Sequence, residues 1–343
     1  VRSFKDFDKQ SVGWVRAVAG GGSAMISAEF AEVVANHLCV DSPGVVSAGL
    51  VGMVLGESVI DASGDRLRAA ALDGSFNERH REMERVLLWA FSWAKVSAVC
   101  EVFGEFSRFI PQKGLAKLER GRDREGLVPD FKVLGGTLWK MDKLAELKVI
   151  TCGLYHYPEG VSSRAVERRA GSLQREYERK AAKADREYGG FSRERQQAGE
   201  KGPVESRLAE FGELEGLVFG GFGEGNARVH ELVGLLADRR PEEELHMARP
   251  RGYTLTSLMS EAGYRAKAVR ILRQRLGVTA VRAQARLLLA KIQAVQEGPS
   301  VRSGQRSRQR KALQEARWDA QVAVEASASS RMASLQGRFA FQV

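Results

Sequence analysis

Leu127-Val128-Pro129-Asp130-Phe131 and, further on, Leu144-Ala145-Glu146-Leu147-Lys148-Val149-Ile150, with Gly135-Gly136 between them, form the stretch that decides the fold. Residues 127–133 and 138–151 are two apolar runs of strand length, and the glycine pair between them predicts a hairpin turn. Successive side chains of a strand alternate faces, so Glu146 and Lys148 point the same way while Leu147 points into the core. The turn brings Asp130 beside them. Three charged groups then stand on an otherwise apolar hairpin, which is costly unless they pair or bind a metal.

Upstream of the hairpin, Met83, Leu87, Ala90, Trp93, Ala94, Cys100 and Phe103 recur at helical spacing and predict one helix over residues 79–110, stopped by Pro111. Downstream, Ser162 or Ser163 caps a polar helix that runs to Tyr188, and Pro203 opens a short helix. Leu217-Val218-Phe219 reads as a buried strand, and Asn226 caps a helix through Ala237. After a linker over residues 241–252 the chain is again helical, with Leu272 and Leu276 on one face and Leu288, Ile292 and Val295 on another. Gly277 and Thr279 lie between them as stop and start signals. The expected organisation is a loosely ordered Gly-, Ala- and Val-rich leader over 1–75, including Gly20-Gly21-Gly22-Ser23, an α/β core over 76–240, a basic helical region over 253–318 and a tail over 319–343. The segment after Gln296 is Ser- and Arg-rich, then Ala-rich, and is expected to be partly disordered.

A chain of 343 residues with 43% apolar side chains has material for a sizeable core. Its first residue is Val1, so it reads as a fragment or a processed product. The net charge of +10 is unevenly spread, for residues 263–318 hold 14 Lys and Arg against 2 Glu, a local +12 that leaves −2 for the rest. Such a surface attracts a polyanion without choosing among nucleic acid, acidic protein and anionic membrane. Cys39, Cys100 and Cys152 are widely spaced and contain no CxxC pair, which argues against a disulfide framework or structural zinc and for a reducing compartment, nuclear or cytoplasmic. The longest uncharged stretch, residues 42–56, is Gly-rich and short of the roughly 20 apolar residues that span a bilayer, so neither a membrane helix nor a secretory signal is expected.

The chemistry that would use Asp130, Glu146 and Lys148 is phosphodiester hydrolysis. Two carboxylates and the Leu147 carbonyl make a hard-oxygen donor set for Mg²⁺ or Mn²⁺, and Lys148 would orient the attacking water or help deprotonate it, and offset phosphorane charge. A lone Glu-x-Lys in a strand is ordinarily a solvated face or a surface ion pair, and Pro-Asp alone is a turn signal. What raises this pattern above that reading is its setting, with both halves in apolar runs and a turn between. Other signals are weaker. The run Gly220-Gly221-Phe222-Gly223-Glu224-Gly225-Asn226 suggests a dinucleotide-binding turn but has Asn226 where the third glycine would stand, so it reads as a close-packed strand-to-helix turn. Gln174, Tyr177 and Lys180 share one side of the polar helix and can approach a DNA backbone, although that helix is mostly a salt-laced solvated face. His156 follows the second strand closely enough to border a site. Arg265, Arg270, Arg273, Arg275, Arg282 and Arg286 surround Gly277, where a helix-turn-helix reader is conceivable and nonspecific phosphate contact is the simpler use.

The order of these features, helix, hairpin bearing PD and ExK, helix, strand, helix, resembles the PD-(D/E)XK, or restriction-endonuclease-like, nuclease superfamily over residues 126–240. Residues 127–318 also resemble the C-terminal part of retroelement-type mobile-element reading frames. The likeness rests on Arg164-Ala165-Val166-Glu167-Arg168-Arg169-Ala170, on Glu176-Tyr177-Glu178-Arg179-Lys180-Ala181, on the strand from Gly216 to Glu224 and on Ile271-Leu272-Arg273-Gln274-Arg275-Leu276. The resemblance implies a restriction-endonuclease-like α/β core followed by a basic α-helical region. It further implies Asp130, Glu146 and Lys148 as the metal and catalytic triad; on the residues themselves, the expected metal ligands are Asp130, Glu146 and the Leu147 carbonyl, and the expected DNA contacts Gln174, Lys180, Arg270, Arg273, Arg282 and Arg286. The expected activity is Mg²⁺-dependent (or Mn²⁺-dependent) DNA cleavage in element insertion, with DNA, a second copy of the chain and other mobile-element proteins as partners and no membrane. No Tyr-x-Asp-Asp polymerase motif is present, and Glu101 and Glu105 are the candidates for the acid that the superfamily often carries on the preceding helix. A noncatalytic DNA-binding or assembly module with a decayed nuclease fold is the alternative, and a nucleotide-binding domain the third reading.

Overall fold

Four strands, in the order β3 (Ala98–Cys100), β4 (Phe131–Val133), β5 (Lys143–Val149) and β6 (Glu215–Phe219), form the main sheet. Leu144, Ala145, Glu146 and Leu147 are buried in β5, and every residue of β6 is buried, as expected for strands covered on both faces. β5 and β6 run parallel, with Leu147 opposite Leu217, so the chain between them must cross over, and helices supply the crossover. β4 (Phe131–Val133) pairs antiparallel with β5, and β3 (Ala98–Cys100) pairs antiparallel with β4. The protein is thus mixed α/β with a mixed sheet.

A computed structural model describes residues 10–16, 24–56, 58–70, 72, 75–111, 127–136, 138–151, 157, 163–239 and 261–297. The chain up to Ile292 forms one unit and Gln293–Val343 a second, of which only the last residues of the final helix are described. The helices are α1 (Ser27–Leu38), α2 (Pro43–Ser47), α3 (Asp65–Ala69), α4 (Ser75–Trp93), α5 (Ser163–Tyr188), α6 (Arg193–Gln197), α7 (Pro203–Glu210), α8 (Ala227–Arg239) and α9 (Glu261–Glu297), and a short two-stranded ribbon joins β1 (Val54–Leu55) to β2 (Ser58–Val59).

The alternation of β5 sorts the core into two layers. Ala145 and Leu147, with Phe131, Val133, Leu217 and Phe219, face α4, α8 and α9 through Met83, Leu87, Phe91, Leu232, Leu236, Leu272 and Leu276. Leu144, Val218 and Ile150 face α5 and α7 through Leu173, Tyr177, Ala181, Val204 and Leu208. Helices therefore cover both faces of the sheet.

The helix expected over residues 79–110 starts at Ser75 and ends at Trp93. Lys95 then takes a left-handed φ of 59°, and the chain continues into β3, which supplies Cys100 to the sheet. The hairpin is not closed by a two-residue glycine turn, because the strands pair only from Val133 with Lys143 and a longer loop joins them. Within that loop Gly136 has φ 78°, and the Gly135 amide donates to Asp142 at 2.8 Å. The part of the expected leader over residues 24–70 contains α1, α2 and α3. Gly277 neither ends nor starts a helix, since α9 runs through it without a break, which removes the helix-turn-helix reading. The glycine is there for contact: a Cβ on it would come within 2.9 Å of the Gln10 carbonyl, and one on Gly13 within 2.6 Å of the Arg273 carbonyl, so residues 10–16 lie directly on α9. The helix expected as an appendage supplies Tyr264, Ala268, Leu272, Leu276 and Ala280 to the same core as α4. The glycine run over 20–23, the linker over 241–252 and the tail over 319–343 lie outside the described residues.

Candidate active site

The site forms where β4 separates from β5. Pairing of the two strands stops at Phe131 with Ala145, so Asp130 and Glu146 stand just past the last rung and Leu147 one residue beyond. The Leu147 amide, released from strand pairing, donates instead to Asp130 Oδ2 at 2.7 Å. Amide and carbonyl of a strand residue face the same neighbour, so the Leu147 carbonyl is directed to that edge too. The main chain of Asp130 is fixed separately, its carbonyl accepting from the Glu101 amide at 2.9 Å.

Glu146 and Lys148 project from β5 toward α5, as their alternation with the buried Leu147 requires. Glu146 is 6% exposed and its Oε1 is ion-paired with Lys148 Nζ. Its Oε2 accepts from the Tyr177 hydroxyl at 2.6 Å, delivered by the buried face of α5. From the other side of the sheet α4 presents His80, whose Nε2 lies 3.0 Å from Asp130 Oδ1. Because both carboxylate oxygens can only accept, Nε2 is the donor.

Burial pushes the Glu146 carboxyl up, and the neighbouring Asp130 charge adds to it against the pull of Lys148 and Tyr177. Burial also acts on Asp130, but His80, the Lys148 charge and the Leu147 amide outweigh it and hold that carboxyl below its ordinary value. Burial disfavours the charged form of Lys148, yet Glu146 and Asp130 raise its pKa all the same, so it stays a cation. Two adjacent carboxylates shifted in opposite directions beside a fixed ammonium are an arrangement that active sites use. Lys180 stands at the margin with its Nζ 5.1 Å from the Tyr177 ring centroid, and burial lowers its pKa, assisted by the charges of Lys148 and Arg169.

The donor set suits a hard divalent cation. Among the described residues Asp130 and Glu146 each receive one donor per oxygen, and a carboxylate has about four lone-pair positions, so by that count each oxygen has one left for a metal. Among the described residues there is no group of three or more His, Cys, Asp or Glu that could hold a metal ion, so a cation here would take its third protein ligand from the Leu147 carbonyl.

The structure thus brings Asp130, Glu146, Leu147 and Lys148 together, and Lys180 to their border. It distributes the other expected DNA contacts elsewhere. Gln174 is tied to the turn before β6, accepting from the Leu214 amide at 2.8 Å and donating to Glu178 at 2.7 Å. Arg282 and Arg286 on α9 serve α1 and α4, with Arg286 2.6 Å from Glu29 and 2.8 Å from Glu82, and Arg282 4.0 Å from Glu82. Arg270 is exposed on α9 and Arg273 half-buried there, on the face of the sheet away from Glu146. Neither expected acid is helical: Glu105 is drawn away to Lys132 and Arg207, and Glu101 sits at the end of β3 with φ 48°. Of the acids on α4, Glu84, one turn beyond His80, takes a hydrogen bond from the Cys100 thiol and is pushed up by burial and then by Glu101. His80 and Glu84 are missed by sequence reasoning, and the available signal is their i,i+4 spacing along the otherwise apolar face of Met83, Leu87 and Ala90. His156 lies outside the described residues. In the turn over residues 220–226 the Glu224 carboxylate fills the space above Gly220, where an added Cβ would meet it at 1.9 Å, and is held by the Tyr157 hydroxyl at 2.6 Å. An acidic side chain lodged in the turn is a poor cradle for phosphate.

No family model, curated protein or solved structure matches this chain.

Proposed function

We propose that the chain is a divalent-cation-dependent nuclease with a PD-(D/E)XK-type core, cutting phosphodiester bonds of DNA as the nuclease part of a mobile-element protein. The observation that carries this reading is the meeting of Asp130, Glu146 and Lys148 at the splayed end of β4 and β5, with Asp130 2.7 Å from the Leu147 amide and Glu146 paired to Lys148. The sequence of elements α4, hairpin, α5, β6 and α8 supports it as well.

Asp130, Glu146 and the Leu147 carbonyl would hold Mg²⁺ or Mn²⁺. Such a cation supplies Lewis acidity to a phosphoryl oxygen and counters the charge that develops there. Lys148, kept charged by both carboxylates, donates to the attacking water and to the phosphoryl oxygens, orienting the first and neutralising the second. Attack of the water oxygen on phosphorus breaks one P–O ester bond and leaves one phosphate end and one hydroxyl end. Tyr177 keeps Glu146 from collapsing wholly onto Lys148. Lys180 adds positive charge for a neighbouring phosphate.

One observation favours a second reading, a noncatalytic DNA-binding or assembly module. All four carboxylate oxygens of the site already have protein donors. Supercoiled-plasmid nicking in Mg²⁺, run beside a gel-shift assay, separates the two. Asp130→Asn and Glu146→Gln should each abolish nicking while DNA binding persists. Undiminished nicking by either variant would sink the assignment, and DNA binding by a wild-type protein that never nicks would favour the second reading.

A further inference from the structure

We propose that His80 is a positioning residue of this site: its imidazole fixes the Asp130 carboxylate in the orientation from which Asp130 binds the divalent cation, and so sets the cation affinity. The inference rests on the metal-dependent reading above and deepens it. Asp130 stands outside the paired part of β4. Its two oxygens are aimed by donors from two different elements, the Leu147 amide of β5 at 2.7 Å and His80 Nε2 of α4 at 3.0 Å. The amide belongs to the main chain and will stay. The imidazole is the half of the clamp that a substitution can remove.

Exposure sharpens the point. The side chains of His80 and Asp130 are 31% and 19% exposed, so water can reach the carboxylate and would replace the imidazole without imposing its direction. His80 is itself restrained, because α4 is anchored on both sides of it. Arg79 donates to the Val149 carbonyl at 2.6 Å and to Gln284 at 3.1 Å, and Met83 is fully buried in the core. The ring is therefore a rigid donor carried by a helix that is fastened to the end of β5. A histidine fifty residues upstream in the chain thus directs an acid of the hairpin.

The test is Mn²⁺ binding by calorimetry on the full chain, with thermal unfolding as the control for folding. Loss of an outer-shell partner of a ligand typically weakens metal binding about 10- to 100-fold. His80→Ala should fall in that range with an unchanged midpoint of unfolding. His80→Gln, whose amide nitrogen reaches the position of Nε2, should recover most of the affinity, and His80→Asn, too short to reach Oδ1, should not. If the alanine variant does not fold, the glutamine and asparagine variants carry the comparison alone. Equal affinity in wild type and His80→Ala, or in the Gln and Asn variants, overturns the positioning role and leaves the proposed function standing. A loss as large in His80→Gln as in His80→Ala also overturns it, assigning the imidazole as a ligand in its own right. Wild-type protein whose Mn²⁺ binding is absent, or no stronger than that of Asp130→Asn, overturns the proposed function and this inference with it.

Discussion

The Glu146 carboxylate is buried, and its oxygens are met by Lys148 and by the Tyr177 hydroxyl. Tyr177→Phe removes one donor and leaves the rest of the side chain in the core. A hydrogen bond to a charged group contributes about 1.5–3 kcal/mol, so the variant should lose about that much in urea unfolding. It should also raise the Glu146 pKa further, since Tyr177 favours the ionised carboxyl. Unchanged unfolding would mean that the hydroxyl contributes nothing to holding Glu146. Lys291 gives a second residue-level test. It is fully buried on α9, donates to the Arg68 carbonyl and to the Ala70 carbonyl at 2.6 Å, and sits 3.9 Å from the Phe76 ring centroid. Burial, then the charges of Arg79 and Arg68, lower its pKa to about 7. An unfolded lysine keeps its proton up to about pH 10, so between about 7 and 10 the unfolded chain binds more protons and stability rises with pH. The unfolding midpoint should climb across that window in the wild type, and Lys291→Met should lose that part of the climb. Equal slopes would show that Lys291 keeps its proton in the fold. Asp130, Glu146 and Lys148 are legible in the sequence because strand alternation and one turn suffice to bring them together. His80 and Tyr177 are not, because a helical period gives a buried face without saying which turn of the helix meets which end of the sheet.

Elements behave similarly. β5, β6, α5 and α7 are legible from apolar runs, a serine at the start of α5 and Pro203 at the start of α7. β3 is not, because Ala98-Val99-Cys100 continues the apolar spacing of α4 and only the left-handed Lys95 breaks it. Asn226 shows how one residue serves an element other than the expected one. Its main-chain carbonyl accepts from the Val229 amide at 3.0 Å at the start of α8, while its side chain turns to β6, accepting from Val218 at 3.0 Å and donating to Gly216 at 2.9 Å. β6 is the last strand in the sheet order, and those two bonds cover its outer edge together with the Asn226 amide, which donates to the Val218 carbonyl at 3.1 Å, and an antiparallel bridge between Phe219 and Gly225. Asn226→Leu keeps much of the volume but loses the two side-chain bonds, depriving the buried Val218 amide and Gly216 carbonyl of their partner, so unfolding free energy should drop by about 2–6 kcal/mol at about 1–3 kcal/mol for each buried group left unpaired. A smaller loss would imply that the edge closes without them. Gly277→Ala tests the contact of residues 10–16 with α9. Alanine favours the helix by about 1 kcal/mol, but its Cβ would come within 2.9 Å of the Gln10 carbonyl. Hydrogen exchange should therefore speed up over residues 10–16 while α9 stays protected, and unchanged exchange there would contradict the packing.

For the whole molecule, charge is the property most easily misread from sequence. Residues 263–318 carry a local +12, yet Arg265 pairs with Asp238, and Arg282 and Arg286 with acids of α1 and α4, so part of the excess is neutralised inside the fold. Removing the whole region would take away the core residues Leu272 and Leu276 as well. Replacing Arg302, Arg306, Arg308 and Arg310 with Gln in the full chain leaves Leu272 and Leu276 in the sequence. DNA affinity should weaken steeply with salt in the wild type, and those four replacements should flatten the slope by up to about 0.9 for each phosphate that is no longer neutralised. An unchanged slope would assign DNA binding to other cations. Among the described residues no helix is long and apolar enough to cross a membrane. The mixed sheet covered by helices on both faces delivers Asp130, Glu146 and Lys148 to one point from two strands. The measurement that tests the role of that point most directly is single-turnover plasmid cleavage by the full chain, in Mg²⁺ and in EDTA, beside Lys148→Met. Cleavage should require the cation and fall by about 10²- to 10³-fold when Lys148 is replaced, as for loss of one preorganised donor to the developing charge. Cleavage that persists in EDTA, or proceeds at the wild-type rate in Lys148→Met at saturating Mg²⁺, would contradict that role.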